Sequence, residues 1–172
     1  MELATNWNIW QNNNDDSNVK SWGEDLQNVG VFKTVPELMY LGDKIKEIGL
    51  RNLESIRIFK KGIKPMWEDP KNTHGGRIIV DIQGLHKFDV NEIWLKTMAF
   101  CVSNLVDGIC GCVYMEKQSV SKLAIWIEND DLGPEITKKW KEVTELPIDM
   151  FYYLTHKRSL DGNKHKKKWN KK

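Results

Sequence analysis

Lys122-Leu-Ala-Ile-Trp-Ile-Glu128 alternates along its length: Leu123, Ile125 and Ile127 fall on one side, and Lys122, Ala124, Trp126 and Glu128 on the other. Side chains of a β-strand point to opposite faces with period two, so this is a strand with one aliphatic face and one mixed face. The aliphatic face belongs against a core. The mixed face is then open, with a cation and an indole about 13 Å apart along it, from four residues at about 3.3 Å each.

Outward from this segment, further short β-like runs occupy Trp7–Gln11, Val19–Trp22, Ser55–Phe59, Arg77–Ile82, Ile109–Met115 and Asp149–Thr155. Three segments carry helical patterns: Val35–Ile48, Asn91–Leu105 and Pro134–Glu145. Thr34 is a candidate N-cap for the first, with Pro36 early in its first turn. In the second, Ile93, Trp94, Met98, Cys101, Val102 and Leu105 lie near one face. Strands and helices in this order predict an α+β fold, one antiparallel sheet with helices on a single face. Loops are expected at Asn12–Asn18, Pro65–Gly76, Asp107–Gly108, Asn129–Gly133 and Ser159–Asn163.

With 172 residues, 40% hydrophobic and 29% charged, the chain suits one domain, expected over residues 1–160. Six of its lysines crowd into Asn163–Lys172, so the body is mildly acidic despite the formal net charge of +2. Residues 161–172 are expected to form a basic, poorly ordered tail, or an arm that meets RNA phosphate with Trp169 among its lysines. No apolar run approaches the roughly 20 residues of a membrane span, and Met1–Trp10 lacks a signal pattern. The three cysteines, Cys101, Cys110 and Cys112, form no disulfide framework and fit a reducing, cytoplasmic compartment. The Cys110-x-Cys112 pair has no second ligand pair at zinc spacing, and no phosphate-binding glycine loop is present, so neither cofactor, metal nor catalytic chemistry is expected.

Eight tryptophans are many for this length, and Trp7, Trp10, Trp22 and Trp67 stand in polar settings. Trp67 lies in Gly62-Ile-Lys-Pro-Met-Trp-Glu-Asp-Pro-Lys-Asn72, followed by Gly75-Gly76-Arg77, where no helix or strand pattern buries it. It either pins this loop to the body or offers its ring to a flat ligand. This string resembles the hallmark segment of the eukaryotic initiation factor 4E family. Other pieces follow in that family's order: Trp7-x-x-Trp10, Ser21-Trp22, Phe32-x-Thr34-Val35, Trp94-Leu95-x-Thr97, Cys110-Gly111 and Lys122-Leu-Ala-Ile-Trp126, together covering about Trp7 to Lys157.

The resemblance implies a curved antiparallel sheet of about eight strands backed by three helices, with a 7-methylguanosine mRNA cap in the concave face. It implies that Trp22 and Trp67 stack on the methylated base, whose positive charge an aromatic face attracts by about 0.5–2 kcal/mol per ring. It further implies that Glu68 reads the guanine N1–H and amine, that Trp126 lies against the N7-methyl group, and that Arg77, Lys117 and Lys122 meet the phosphates. A scaffold factor of the 4G type, or a 4E-binding protein, is implied on the first two helices, at Val35, Met39, Leu95, Lys96 and Ala99. There Met39 replaces a usual tryptophan, Lys96 an acid and Ala99 a leucine; within the pocket Met115 replaces a polar residue and Ile78 a tryptophan. The expected protein is a monomeric, cytoplasmic translation initiation factor that recruits capped mRNA. Alternatives are a cap-binding repressor of the same fold, a nucleotide-acting enzyme, and an interaction domain whose tryptophans are core.

Overall fold

The computed structural model of the protein describes residues 1–12, 26–118 and 120–157. Within them lie seven strands and three α-helices: β1 (Glu2–Asn12), β2 (Leu26–Thr34), α1 (Val35–Ile48), β3 (Ser55–Lys60), β4 (Gly76–Asp81), α2 (Val90–Val102), β5 (Ile109–Lys117), β6 (Val120–Ile127), α3 (Gly133–Thr144) and β7 (Phe151–Thr155). The strands form one sheet in the order β2-β1-β3-β5-β6-β4-β7, every neighbouring pair antiparallel. This is the expected α+β layout, close to the eight strands anticipated.

The β6 alternation sorts the two faces. Leu123, Ile125 and Ile127 join Ile56, Ile58, Ile78, Val80, Cys112 and Tyr114 in the main core, against Trp94 and Met98 of α2 and Trp140 of α3. Ala124 and Trp126 join Phe59, Ile79, Val113, Tyr152 and Leu154 in a smaller cluster on the opposite face. Helices cover the first face. The second carries the candidate site.

Helix starts are set by side chains that satisfy the free N–H groups of the first turn. Thr34 caps α1 as expected: its hydroxyl accepts from Glu37 N–H at 3.3 Å, and the Glu37 carboxylate accepts from Thr34 N–H at 3.0 Å. Asp89 caps α2 by accepting from Asn91 and Glu92 N–H at 2.9 and 3.4 Å. In the third helix, the indole N–H of Trp140 donates to the Thr97 hydroxyl at 2.9 Å, joining α3 to α2.

Four expectations are corrected. Helix α2 ends at Val102, so Leu105, placed by the period on its buried face, lies beyond it and is 66% exposed. Trp7, singled out for its polar setting, is buried in the main core. Asn12, expected to open a loop, is instead the last residue of β1, and the rest of that expected loop lies outside the described residues. Leu26–Thr34 is an unanticipated strand at the sheet edge, where only Phe32 is buried and burial alternates only over its last residues, Gly30 to Thr34. The strand expected at Val19–Trp22, the Ser159–Asn163 loop and the 161–172 tail lie outside the described residues.

Gly75 and Gly76 join the Trp67 loop to β4, and both tolerate no side chain. A Cβ on Gly75 would stand 1.7 Å from the Ile127 carbonyl oxygen, and one on Gly76 2.3 Å from that of Leu154. Those contacts are backbone and cannot rotate away. Gly75→Ala is therefore expected to lower stability by at least the roughly 1–3 kcal/mol of an overpacked site. Urea unfolding checks this; an unchanged midpoint contradicts the close approach.

Candidate cap-binding face

Strand pairing brings the expected residues of the body onto one face. Arg77 pairs with Trp126, Ile79 with Ala124 and Asp81 with Lys122 across β4 and β6. Met115 pairs with Lys122 and Lys117 with Val120 across β5 and β6. Since residues two apart share a face, Arg77, Lys117, Lys122 and Trp126 all rise from the side turned away from the helices. Arg77 and Trp126 lie at one end of this array and Lys117 at the other.

The Trp126 indole is held by its neighbours. Its ring meets Phe59 edge-on, centroids 5.3 Å apart at 80°, and lies 4.4 Å from the His156 ring. His156 is buried, 3% exposed, and its Nε2 has no hydrogen-bond partner among the described residues. Burial, with Arg77 nearby, lowers its pKa to about 4. It therefore stands neutral beside Trp126. As pH falls from about 6.5 toward 4 the unfolded chain takes up this proton before the folded one, so stability is lost through that window.

Lys122 is half-buried, with its ammonium 5.7 Å over the Tyr152 ring, a cation–π contact that steadies the side chain on the open face. Lys117 is exposed. Arg77 is half-buried, and burial lowers its pKa, opposed by Tyr152. Behind the Lys117 end, Arg51 donates to Ser121 Oγ at 3.2 Å and to the Ile82 carbonyl at 3.3 Å, and pairs with Glu116 at 3.5 Å. Glu116 and Ser121 are cross-strand partners, each adjacent in sequence to one of the two lysines. Arg51 thus ties the β5–β6 hairpin from the helix side.

Trp67 and Glu68 sit in the loop between β3 and β4, Trp67 at 39% exposure and Glu68 exposed. The loop has no ladder bonds; backbone turn bonds, such as Asn72 N–H to the Asp69 carbonyl at 2.8 Å, and side-chain bonds together build it. The Asp69 carboxylate accepts from Lys64 and Lys71 N–H, both at 2.9 Å. The fully buried Asn72 amide donates to the Lys64 and Met66 carbonyls at 2.9 and 2.8 Å. Pro65 and Pro70 further restrict the backbone. A large indole left on the outside of so restrained a loop is available as a ligand platform. Trp22 lies outside the described residues.

On the helix side, Leu95 of α2 packs against α1 at Gly42, where a Cβ would come within 2.7 Å of Leu95 Cδ1. Val35 and Leu95 are half-buried; Met39, 46% exposed, and Ala99 face outward. Lys96 pairs with Glu92 at 2.9 Å and Glu145 at 3.8 Å.

Residues 2–171 match the family model described as Eukaryotic initiation factor 4E. The chain belongs to this family. The translation initiation factor 4E of Xenopus laevis is 32% identical over 164 residues, spanning 90% of this chain and 76% of that protein. The isoform 4E of Arachis hypogaea is 31% identical over 159 residues, 88% of this chain and 77% of that one. Among solved structures, Caenorhabditis elegans eIF4E-3 in complex with the 4E-binding protein Mextli and a cap analog superposes with a TM-score of 0.81 at 28% identity, covering 96% of this chain and 98% of that one. Ascaris suum eIF4E-3 in complex with an m2,2,7G cap gives 0.79 at 28% identity, with coverage of 90% and 91%. Against this family background, two further residues of the open face, His156 and Arg57, stand out as unanticipated. Arg57 is legible only from strand register, where it shares the alternation of Phe59, whereas His156 lies just past the end of β7 and is placed by its backbone N–H donating to the Gly75 carbonyl at 3.1 Å and by its ring contact with Trp126.

Proposed function

We propose that the open face binds the 7-methylguanosine cap of mRNA, and that the chain recruits capped mRNA to translation initiation in the cytoplasm. The observation that carries this reading is the ladder register aligning Trp126, Arg77, Lys122 and Lys117 on one face, in a family member whose relatives were solved with caps. Trp67 and Trp22 stack on the methylated guanine, where a cationic π-system gains most from aromatic faces. The N7-methyl group rests on Trp126. Arg77, Lys122 and Lys117 take the phosphates by charge-assisted hydrogen bonds. The helix surface at Val35, Met39, Leu95, Lys96 and Ala99 receives a scaffold factor of the 4G type or a 4E-binding protein. With Met39 in place of an indole and Lys96 already paired to two acids, such a helix is held with fewer anchors.

Retention on immobilised 7-methyl-GDP, released by 7-methyl-GTP but not by GTP, is the expected behaviour; release by both equally opposes the reading. Glu68 sets base identity, because a carboxylate accepts the parallel N1–H and amine donors of guanine, whereas adenine presents an acceptor at N1. Glu68→Ala is expected to shrink the preference for 7-methyl-GTP over methylated ATP by about tenfold, the low end of a hydrogen bond to a charged group. Competition binding measures this ratio. If it is unchanged, backbone groups read the base instead.

A further inference from the structure

Arg57 of β3 lies on the same face as Trp126 and the three phosphate-end cations, yet no motif of the sequence singles it out. Its strand neighbours fix its direction: Ile56 and Ile58 enter the helix-side core, while Phe59 packs with Trp126 on the other side. Arg57 pairs with Trp10 on one flank and Val113 on the other. The next pairs along are Ser55 with Met115, and Met115 with Lys122. Two strand spacings and one two-residue step thus separate the Arg57 and Lys122 backbones, about 12 Å.

The guanidinium is half-buried, and among the described residues no carboxylate lies within ion-pair distance of it. Its bonds go to neutral acceptors through a single nitrogen: Nη1 donates to Asn12 Oδ1 at 2.9 Å and to Ser55 Oγ at 3.2 Å. The Nε–Nη2 edge donates to no group among the described residues. That edge is the fork that matches two oxygens of a phosphate. A cation drawn partly out of water, unneutralised and with its fork unengaged, loses hydration without a compensating anion. Burial accordingly lowers its pKa. Asn12 and Ser55 hold the group in place while leaving its charge uncancelled, which is the condition of a pre-organised anion site.

We propose that Arg57 is a phosphate-binding residue of this face, a fourth cation that takes a phosphate oxygen of the capped RNA through its Nε–Nη2 edge. This rests on the cap-binding reading above. The phosphate belongs either to the cap's bridge or to the first phosphodiester beyond it, and ligand length distinguishes the two.

The experiment titrates parent, Arg57→Gln, Arg57→Lys and Asn12→Ala chains with 7-methylguanosine, 7-methyl-GTP and a capped tetranucleotide, at low and high salt, with thermal unfolding as a check on each fold. Arg57→Gln is expected to weaken a phosphate-bearing ligand about tenfold, one charge-assisted hydrogen bond, while binding the phosphate-free nucleoside like the parent. Its salt dependence should be shallower than the parent's. A loss already present with 7-methyl-GTP assigns Arg57 to the bridge; a loss confined to the tetranucleotide assigns it to the RNA chain. Arg57→Lys should retain part of the gain, and Asn12→Ala, which removes the neutral tether but no charge, most of it. Equal weakening of nucleoside and phosphate-bearing ligands by Arg57→Gln makes Arg57 a structural tether of β1 and overturns the proposal. So does unchanged binding of all three ligands. A parent chain that binds no cap ligand overturns the cap-binding reading first and this proposal with it.

Discussion

A Trp67→Ala chain is expected to bind 7-methyl-GTP about 5- to 150-fold more weakly than the parent, the equivalent of the roughly 1–3 kcal/mol that base–aromatic stacking is worth by alanine substitution. The loss should fall on binding and not on folding. Trp67 is 39% exposed, and its loop is held by Asp69 and Asn72, neither of which needs the indole. Fluorescence titration with a parallel thermal melt separates the two effects. Unchanged affinity in a folded Trp67→Ala chain means that the base stacks on other rings.

Removing both lysines of the β5–β6 hairpin is expected to cost a comparable amount, but only for ligands that carry phosphate. In the parent, affinity should climb from 7-methyl-GMP to 7-methyl-GTP as each added charge finds a cation. In the Lys117→Ala, Lys122→Ala double variant most of that climb should vanish, with about tenfold to hundredfold weaker binding of 7-methyl-GTP from two charge-assisted contacts, discounted for the exposure of Lys117. The nearly phosphate-independent base end should keep its contribution. The lysines beyond Gly162 offer a rival source of the same dependence. A chain truncated after Gly162 decides between them: if truncation abolishes the climb and the double variant preserves it, the hairpin lysines are only surface charge.

What the sequence made legible follows from how strongly each signal depends on local periodicity. The β6 alternation was enough to place Lys122 and Trp126 on a face away from the helices, because a strand buried on one side must keep period two. Capping of α1 by Thr34 was equally local. Strand β2 escaped because its apolar residues do not follow its faces: Val29 and Val31 are exposed, while the inward positions Gly30, Phe32 and Thr34 include only one large apolar side chain. Trp7 misled because its neighbours are polar while its own side chain turns into the core; at a strand position, composition of the window says little about one face. The α2 boundary slipped because the apolar period ran past Val102, where Ser103 ends the helix and Asn104 turns to a φ of 59°. Arg57 and His156 were invisible for a different reason. Their significance comes from cross-strand neighbours distant in sequence, the pairing of Arg57 with Trp10 and the contact of His156 with Trp126.

The most direct test is the ratio of affinities of the parent chain for 7-methyl-GTP and GTP, measured by quenching of tryptophan fluorescence under identical salt. The two ligands share every hydrogen-bonding group that Glu68 and the phosphate-end cations address, and differ chiefly in the methyl group that makes the base cationic. If stacked indoles and Trp126 read that charge, 7-methyl-GTP should bind at least about tenfold tighter and quench the signal, given roughly 0.5–2 kcal/mol for each aromatic face. Equal affinity for the two nucleotides would contradict cap recognition by this face.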